Sequence, residues 1–526
     1  MTTTLLLNGR VHSPTMPDAT AMAVRDGIVA WLGSDDVGRT QFPDARVVDL
    51  DGGFVAPAFV DSHVHTTATG LALSGLDLRG AASLRHCLDL LADYARSHPD
   101  GVVWGQGWDE SRWPERTAPG TADVDAAVGQ RPAYLARVDV HSAVASTHLR
   151  RTAGVADGVP LTADAHHTVR RAAREQLTAA QRRDARQAAL DAAAASGIAA
   201  VHECAGPQIG GLDDWRELRA HRHGVEIVGY WGEPVADAER ARELLASTEA
   251  RGLAGDLFVD GALGSRTAWL HEPYADVPAD CPAPTGNSYL DADAVTAHLT
   301  ACTEAGITAG FHVIGDAAVT AVTTALEAVV ERFGVAAVAR CGHRLEHLEM
   351  VTEEQAGKLG SWGVIASMQP NFDALWGGTD GMYARRLGEK RAAGLNNFAV
   401  LASRGVPLAF GSDTPVTDMN PWATVRAATT HHTPGSAVSA RAAFAAATRG
   451  AWRAGGVRDG VTGTLVPGAP ATYAVWDAEE FDVSAPADAV QRWSTDPRSR
   501  VPVLPRLDGD LPRCRQTVHR GRVLHG

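Results

Sequence analysis

Apolar and polar positions follow two different periods along this chain, and the change of period divides it. Segments 4–12, 21–33 and 45–50 are short β-type runs, with Asn8-Gly9 and Asp26-Gly27 between apolar stretches as hairpin turns. Segments 463–477 and 516–524 carry the same pattern near the other end. Between them, Ala-rich helical stretches stop at a glycine and lead into short apolar strands. Gly197 precedes Ile198-Ala-Ala-Val-His202, Gly306 precedes 307–312, Gly363 precedes 364–368 and Gly405 precedes 406–411. Helix, glycine and strand repeated in this order predict parallel strands in an α/β fold. About eight such units predict a (β/α)8 TIM-type barrel, with a doubly wound sheet as the second choice. The predicted organisation is a barrel over 59–454 and a small β-sandwich built from 1–58 and 455–526. Residues 75–165, Trp-rich and irregular, read as an insertion or cap.

Polar residues gather where the predicted strands end. The apolar run 54–60 leads into His63-Val-His65, and residues two apart on a strand point to one side. Two imidazoles, the commonest side-chain ligands of zinc-type metals, therefore face one point. His312 closes 308–312, His347 closes 342–347 and Asp413 closes 408–413, each just before a turn. That is the C-terminal rim of a parallel barrel, where active sites form. A single histidine there would read as structural; four imidazoles and a carboxylate on separate strand ends predict a metal centre. Glu203, in Ala200-Val-His-Glu-Cys204, ends another strand and is a further candidate ligand. Glu346 alternates with His347, so it is expected to point away from the metal and pair with Arg344.

Composition narrows the setting. With 45% hydrophobic and 21% charged residues the chain is globular, and at 526 residues it exceeds one ordinary core. A net charge of −14 argues against nucleic acid or an anionic membrane surface as partner. No apolar run reaches the roughly 18 residues a membrane span needs, and the first residues lack the basic start of a signal peptide. Six scattered cysteines form neither a disulfide framework nor a zinc knuckle, which fits a cytoplasmic protein. Lys358 and Lys390 are the only lysines.

The strand-end histidines, with Gly107-Trp-Asp-Glu110, Asp260-Gly-Ala-Leu-Gly-Ser-Arg-Thr-Ala268, Arg344-Leu-Glu-His347, Gln369-Pro370 and Gly411-Ser-Asp-Thr-Pro415, resemble the amidohydrolase superfamily and its amidohydrolase-3 branch. That branch includes N-substituted formamide deformylases, and the likeness runs nearly end to end. The resemblance implies a zinc-dependent hydrolase cleaving a non-peptide C–N bond (amide, N-acyl or N-formyl) of a small molecule. It makes Asp413 the general base beside a metal-activated water; the alternative for Asp413 is a helix N-cap ahead of Pro415. His141 is expected to line the substrate pocket. Arg266 is a candidate for binding a carboxylate or an oxyanion, or else pairs at the surface. Trp108 packs the insertion or lines an apolar pocket. Relatives often carry a carboxylated lysine where this chain has Asp256, and neither lysine here suits that role, so one zinc ion is the default, with two admissible. Asp256 is several bonds shorter, and direct replacement would need the backbone to move. A deaminase or cyclic-amide hydrolase on the same scaffold, and a non-catalytic binding or regulatory relative, stay open. Barrels of this kind commonly form homodimers.

Overall fold

The computed structural model describes residues 3–159, 161–278, 280–481 and 502–526. Eight parallel segments close a barrel. Phe59–Val64 pairs with Ile198–Ala205, and that strand with Glu226–Trp231. Residues 252–258 continue the ring through single bridges: Tyr230 to Gly252, Leu253 to Ala309 and Phe258 to His312. Gly310–Val313, Arg344–His347, Ile365–Met368 and Leu408–Phe410 follow in parallel register. A bridge from Val64 to Thr414 joins the last segment to the first. The fold is the α/β barrel that the helix–glycine–strand repeats predict. Helices Ala292–Ala305 and Glu353–Trp362 end on the left-handed glycines Gly306 and Gly363, whose missing Cβ removes the cost of that conformation.

Both chain ends contribute to the sheets outside the barrel. Thr3–Leu7, Ala21–Arg25, Ile28–Gly33 and Arg46–Asp49 make one sheet. In a second, Phe54–Pro57 pairs antiparallel with Tyr473–Asp477, which pairs with Arg513–His519. Of the expected C-terminal portion 455–526, residues 482–501 lie outside the described residues.

Segment 75–165 differs from expectation: it is not irregular. Leu76–Asp77, Val103–Trp108, Ala133–Arg137, Ser142–Ala145 and Leu161–Thr162 form a five-stranded sheet with its own apolar core around Leu91, Trp108 and Trp113. The central strands Val103–Trp108 and Ala133–Arg137 are buried on both faces, so the in-out alternation that marks a half-exposed strand is missing. Among the described residues no helix is long and apolar enough to cross a membrane.

The terminal sheet is locked to the barrel by aromatic side chains. Phe59 of the first barrel strand meets Trp422 edge-on at 5.0 Å and Trp476 of the terminal sheet at 5.8 Å. Trp422 also stacks on Phe444 at 5.5 Å and meets Trp476 at 5.6 Å. Trp422→Ala removes the centre of this cluster and is expected to cost about 3–5 kcal/mol. The check is the urea midpoint; a shift equivalent to less than about 1 kcal/mol would show that the junction does not depend on this ring.

Candidate metal centre

Six side chains from the barrel rim converge. Asp256 lies among them: its Oδ1 is 3.4 Å from His63 Nε2, 3.6 Å from His312 Nδ1 and 3.8 Å from His347 Nε2. Its Oδ2 is 3.1 Å from His65 Nε2. Asp413 Oδ1 sits 3.4 Å from His63 Nε2 and 3.3 Å from His65 Nε2. His63, Asp256 and His347, and again His63, His65 and Asp413, bring ligand atoms within 4.8 Å of one another. The side chains of all six are nearly inaccessible to solvent.

Other residues aim these side chains. His63 Nδ1 contacts Glu346 Oε2 at 2.9 Å, which directs Nε2 toward the cluster. Glu346 is in turn held by Arg344, whose Nε and Nη2 donate to it at 2.5 and 2.9 Å. Sequence reasoning found the Arg344 pair but not the contact with His63. His347 Nδ1 contacts Gln369 Oε1 at 2.8 Å, which gives Gln369 its place in the rim. Asp260 accepts from the backbone N–H groups of Trp269, Ile314 and Gly315, and so fixes the loop that follows His312. Asp413 N donates to His63 O at 2.8 Å, tying the last strand to the first. Asp413 and His347 both have positive φ, 56° and 69°, a backbone state that non-glycine residues hold only where the surroundings enforce it. No helix follows Asp413 directly; the next begins at Pro421 and is capped by Asn420, so the N-cap alternative is not realised.

The position of Asp256 answers the question of reach. Residues 252–258 do not form a regular strand, and Gly255 adopts φ 79°. A Cβ on Gly255 would meet Cys204 at 3.0–3.2 Å and would strain the left-handed backbone, so glycine suits this close approach to the neighbouring strand. The backbone thereby brings a short carboxylate to the centre. Neither lysine is near it by structure: Lys358 pairs with Glu327 on the outer helices, and Lys390 lies in the short helix Glu389–Ala392.

Three expected positions need correction. Glu203 is buried, but its Oε2 is taken by the Thr66 amide and hydroxyl at 2.8 and 2.6 Å, and it joins none of the convergent ligand groups. It is one residue off the inward-facing side, and Asp256 stands where a carboxylate was sought. Arg266 turns outward and makes a two-pronged ion pair with Asp276 at 2.9 and 2.8 Å, the surface pairing weighed as its alternative. Trp108 donates to Leu135 O at 2.9 Å inside the insertion core and does not line the cavity over the cluster. His141 does line it, its ring 5.0 Å from that of His312.

That cavity, about 40 Å³, is bounded by the cluster and by His141, His167, Arg170 and Arg174. A second lobe of about 20 Å³ shares His141, His312 and Asp413 and is walled by Phe372, Trp376 and Met382. Burial would lower His65, but Asp256 and Asp413 outweigh it and lift His65 to about 9. Burial would raise Asp256, but His63, His312 and His347 hold it well below the usual range. The cluster thus favours positive charge at its centre. Burial, then the positive neighbours His312 and His347, drives His141 well below its usual value and keeps it neutral.

The sequence model of the amidohydrolase family matches residues 46–525. Protein LONG AFTER FAR-RED 3 of Arabidopsis thaliana is 27% identical over 535 residues, 91% of this chain and 89% of that one. Putative amidohydrolase YtcJ of Bacillus subtilis is 26% identical over 435 residues, 76% of this chain and 78% of that one. An uncharacterized metal-dependent hydrolase from Pyrococcus furiosus superposes with a TM-score of 0.69 at 25% identity, covering 91% of this chain and 99% of that structure.

Because Arg344 is fully buried against Glu346, Arg344→Met leaves that buried carboxylate with the His63 imidazole but without its arginine counter-ion, and is expected to cost about 3–5 kcal/mol in urea unfolding. The double substitution Arg344→Met, Glu346→Leu should recover most of that loss. A double variant no more stable than the single one would mean that lost packing, rather than unpaired charge, sets the cost.

Proposed function

The chain belongs to the amidohydrolase family, hydrolases acting on carbon–nitrogen bonds, and from that premise we propose that His63, His65, Asp256, His312, His347 and Asp413 hold a divalent cation of the zinc type for hydrolysis of a non-peptide amide. The observation that carries this is the set of buried atoms without hydrogen-bond partners. His63 Nε2, His312 Nδ1 and Asp256 Oδ1 are each enclosed, unpaired and turned toward the others. Three such atoms in one place are costly unless something else satisfies them. Imidazole nitrogen with carboxylate oxygen is the donor set that zinc-type ions accept. Such an ion, when bound, acidifies water and polarises a carbonyl.

The rest of the chemistry belongs to the protein. Asp413, within 3.4 Å of two imidazoles, accepts the proton of the attacking water at a carboxylate oxygen and passes it to the leaving nitrogen. The second transfer matters because an unprotonated amide nitrogen is a very poor leaving group. Neutral His141 faces His312 across the cavity and can donate to the substrate carbonyl. Its backbone N–H is fixed by Asp139, which Arg137 and Ser265 hold at 2.8 Å. Phe258, Pro415 and Val416 give the cavity the apolar part of its wall.

Two expected outcomes test this. Treatment with a strong chelator should abolish hydrolysis of an N-acyl or N-formyl amine panel, and added zinc should restore it; bound metal measured by plasma mass spectrometry should fall in His312→Ala and in Asp256→Asn. Asp413→Asn should keep the fold by circular dichroism and lower kcat by about 10²–10⁴-fold. Retention of kcat within about threefold in Asp413→Asn would remove it as the base.

A further inference from the structure

One wall of the cavity holds two arginines that the hydrolytic step does not use. Arg170 and Arg174 lie one turn apart on the helix Ala163–Glu175, on the same face. Both line the cavity with His65 and Asp413. Arg170 is 7% exposed; its Nη2 donates to Gln208 O at 2.5 Å, and its Nε has no hydrogen-bond partner.

Buried arginines elsewhere in this chain meet carboxylates. Arg137 pairs with Asp109, Glu110 and Asp139. Arg186 pairs with Asp214 and Glu217, Arg344 with Glu346, and Arg386 with Glu110 and Asp276. Among the described residues Arg170 and Arg174 have no such ion pair. The acids that act on them are otherwise engaged: for Arg170, Asp256 by the cluster imidazoles; for Arg174, Asp214 by Arg186 at 2.8 Å and Thr67 at 2.9 Å, and Glu203 by Thr66. Burial pulls Arg174 down to about 10 and lowers Arg170 as well, so the fold carries an uncompensated cost for these cations.

The second lobe carries no arginine: Leu263, Phe372, Trp376 and Met382 form an apolar side, with Asp139, Glu349 and Tyr383 beside the shared His141 and Asp413. The reactive cluster therefore sits between a cationic wall and an apolar one. We propose that the substrate is a carboxylate-bearing amide, its carboxylate gripped by Arg170 and Arg174 and its other substituent seated against Phe372, Trp376 and Met382. The guanidinium fork matches a carboxylate in geometry as well as charge. Both lobes are narrow, which favours compact substituents. Hydrolysis balances simply: the C–N bond breaks, the carbonyl carbon takes the hydroxyl of water and the nitrogen takes its proton.

This inference rests on the hydrolase reading, and the experiment separates the two. The zinc-loaded full-length protein is assayed with compact matched pairs: N-propanoylglycine against N-methylpropanamide, and N-ethylsuccinamic acid against N-ethylbutyramide. The pairs place the carboxylate on the amine side or the acyl side. In at least one pair the acid should be favoured by about 100-fold or more in kcat/KM, because buried donors left unpaired penalise the neutral analogue. Arg170→Gln and the less buried Arg174→Gln should each cut that preference to below about tenfold, with Arg170→Lys intermediate. Equal rates within both pairs, or a preference unchanged in both Gln variants, would overturn the carboxylate assignment while leaving the hydrolase reading intact. Should no amide be cleaved, the hydrolase reading fails and calorimetric binding decides the inference. Tighter binding of the acid than of its neutral partner, lost in Arg174→Gln, supports the assignment, and equal or absent binding defeats it.

Discussion

The buried pair between Arg344 and Glu346 couples the barrel to its reactive rim. Arg344 donates to Ser62 O on the first strand, contacts His202 Nδ1 on the second, lies 4.4 Å over the Tyr230 ring on the third and reaches Ser367 Oγ on the seventh. One guanidinium thus ties five strands, counting its own. Removing it from water is expensive, and the donors it spends on all sides are what make that burial tolerable. Glu346 closes the arrangement: burial alone would raise it, yet Arg344 and His63 keep it well below the usual carboxylate range. Because the same carboxylate orients His63, the charge that stabilises the barrel interior also aims an imidazole of the rim cluster.

Charge within the molecule runs against its total. The chain carries −14 overall, but the cavity is lined by Arg170 and Arg174, which have no ion pair among the described residues. An anionic exterior and a cationic cleft do not conflict, since a narrow cleft with low-dielectric walls focuses its own field. For a substrate with a carboxylate the distant repulsion is screened within about a Debye length, roughly 8 Å at physiological salt. The local attraction acts at short range between largely buried groups.

Much of the fold was legible because strand and helix signals were local. Gly306 and Gly363 stop helices where the chain must turn into a strand, and His63, His65, His312, His347 and Asp413 each follow an apolar run at the rim. What sequence could not supply was orientation around irregular backbone. Glu203 lies on a regular strand but binds Thr66, whereas Asp256 lies on a segment too broken to read as a strand and yet reaches the centre. The insertion was misread for a related reason: strands buried on both faces lose the alternation that identifies them. The two glycines just before it, in Gly252-Leu-Ala-Gly-Asp256, were the available signal of irregular backbone at Asp256.

The short reach of Asp256 and the irregularity of 252–258 are two sides of one solution. A regular strand there would carry a side chain outward by a fixed amount, and an aspartate would end several bonds short of where a carboxylated lysine delivers its oxygens. Here single bridges replace a continuous ladder, and Gly255 at φ 79° packs its bare Cα against Cys204. The ladder is interrupted at the segment from which Asp256 reaches the cluster. The cost in lost ladder hydrogen bonds is limited, because the flanking residues still bridge Tyr230, Ala309 and His312. What is gained is a carboxylate whose two oxygens contact four imidazoles without a modification that depends on carbon dioxide. A larger residue at 255 would crowd Cys204 and strain a left-handed backbone one residue before Asp256.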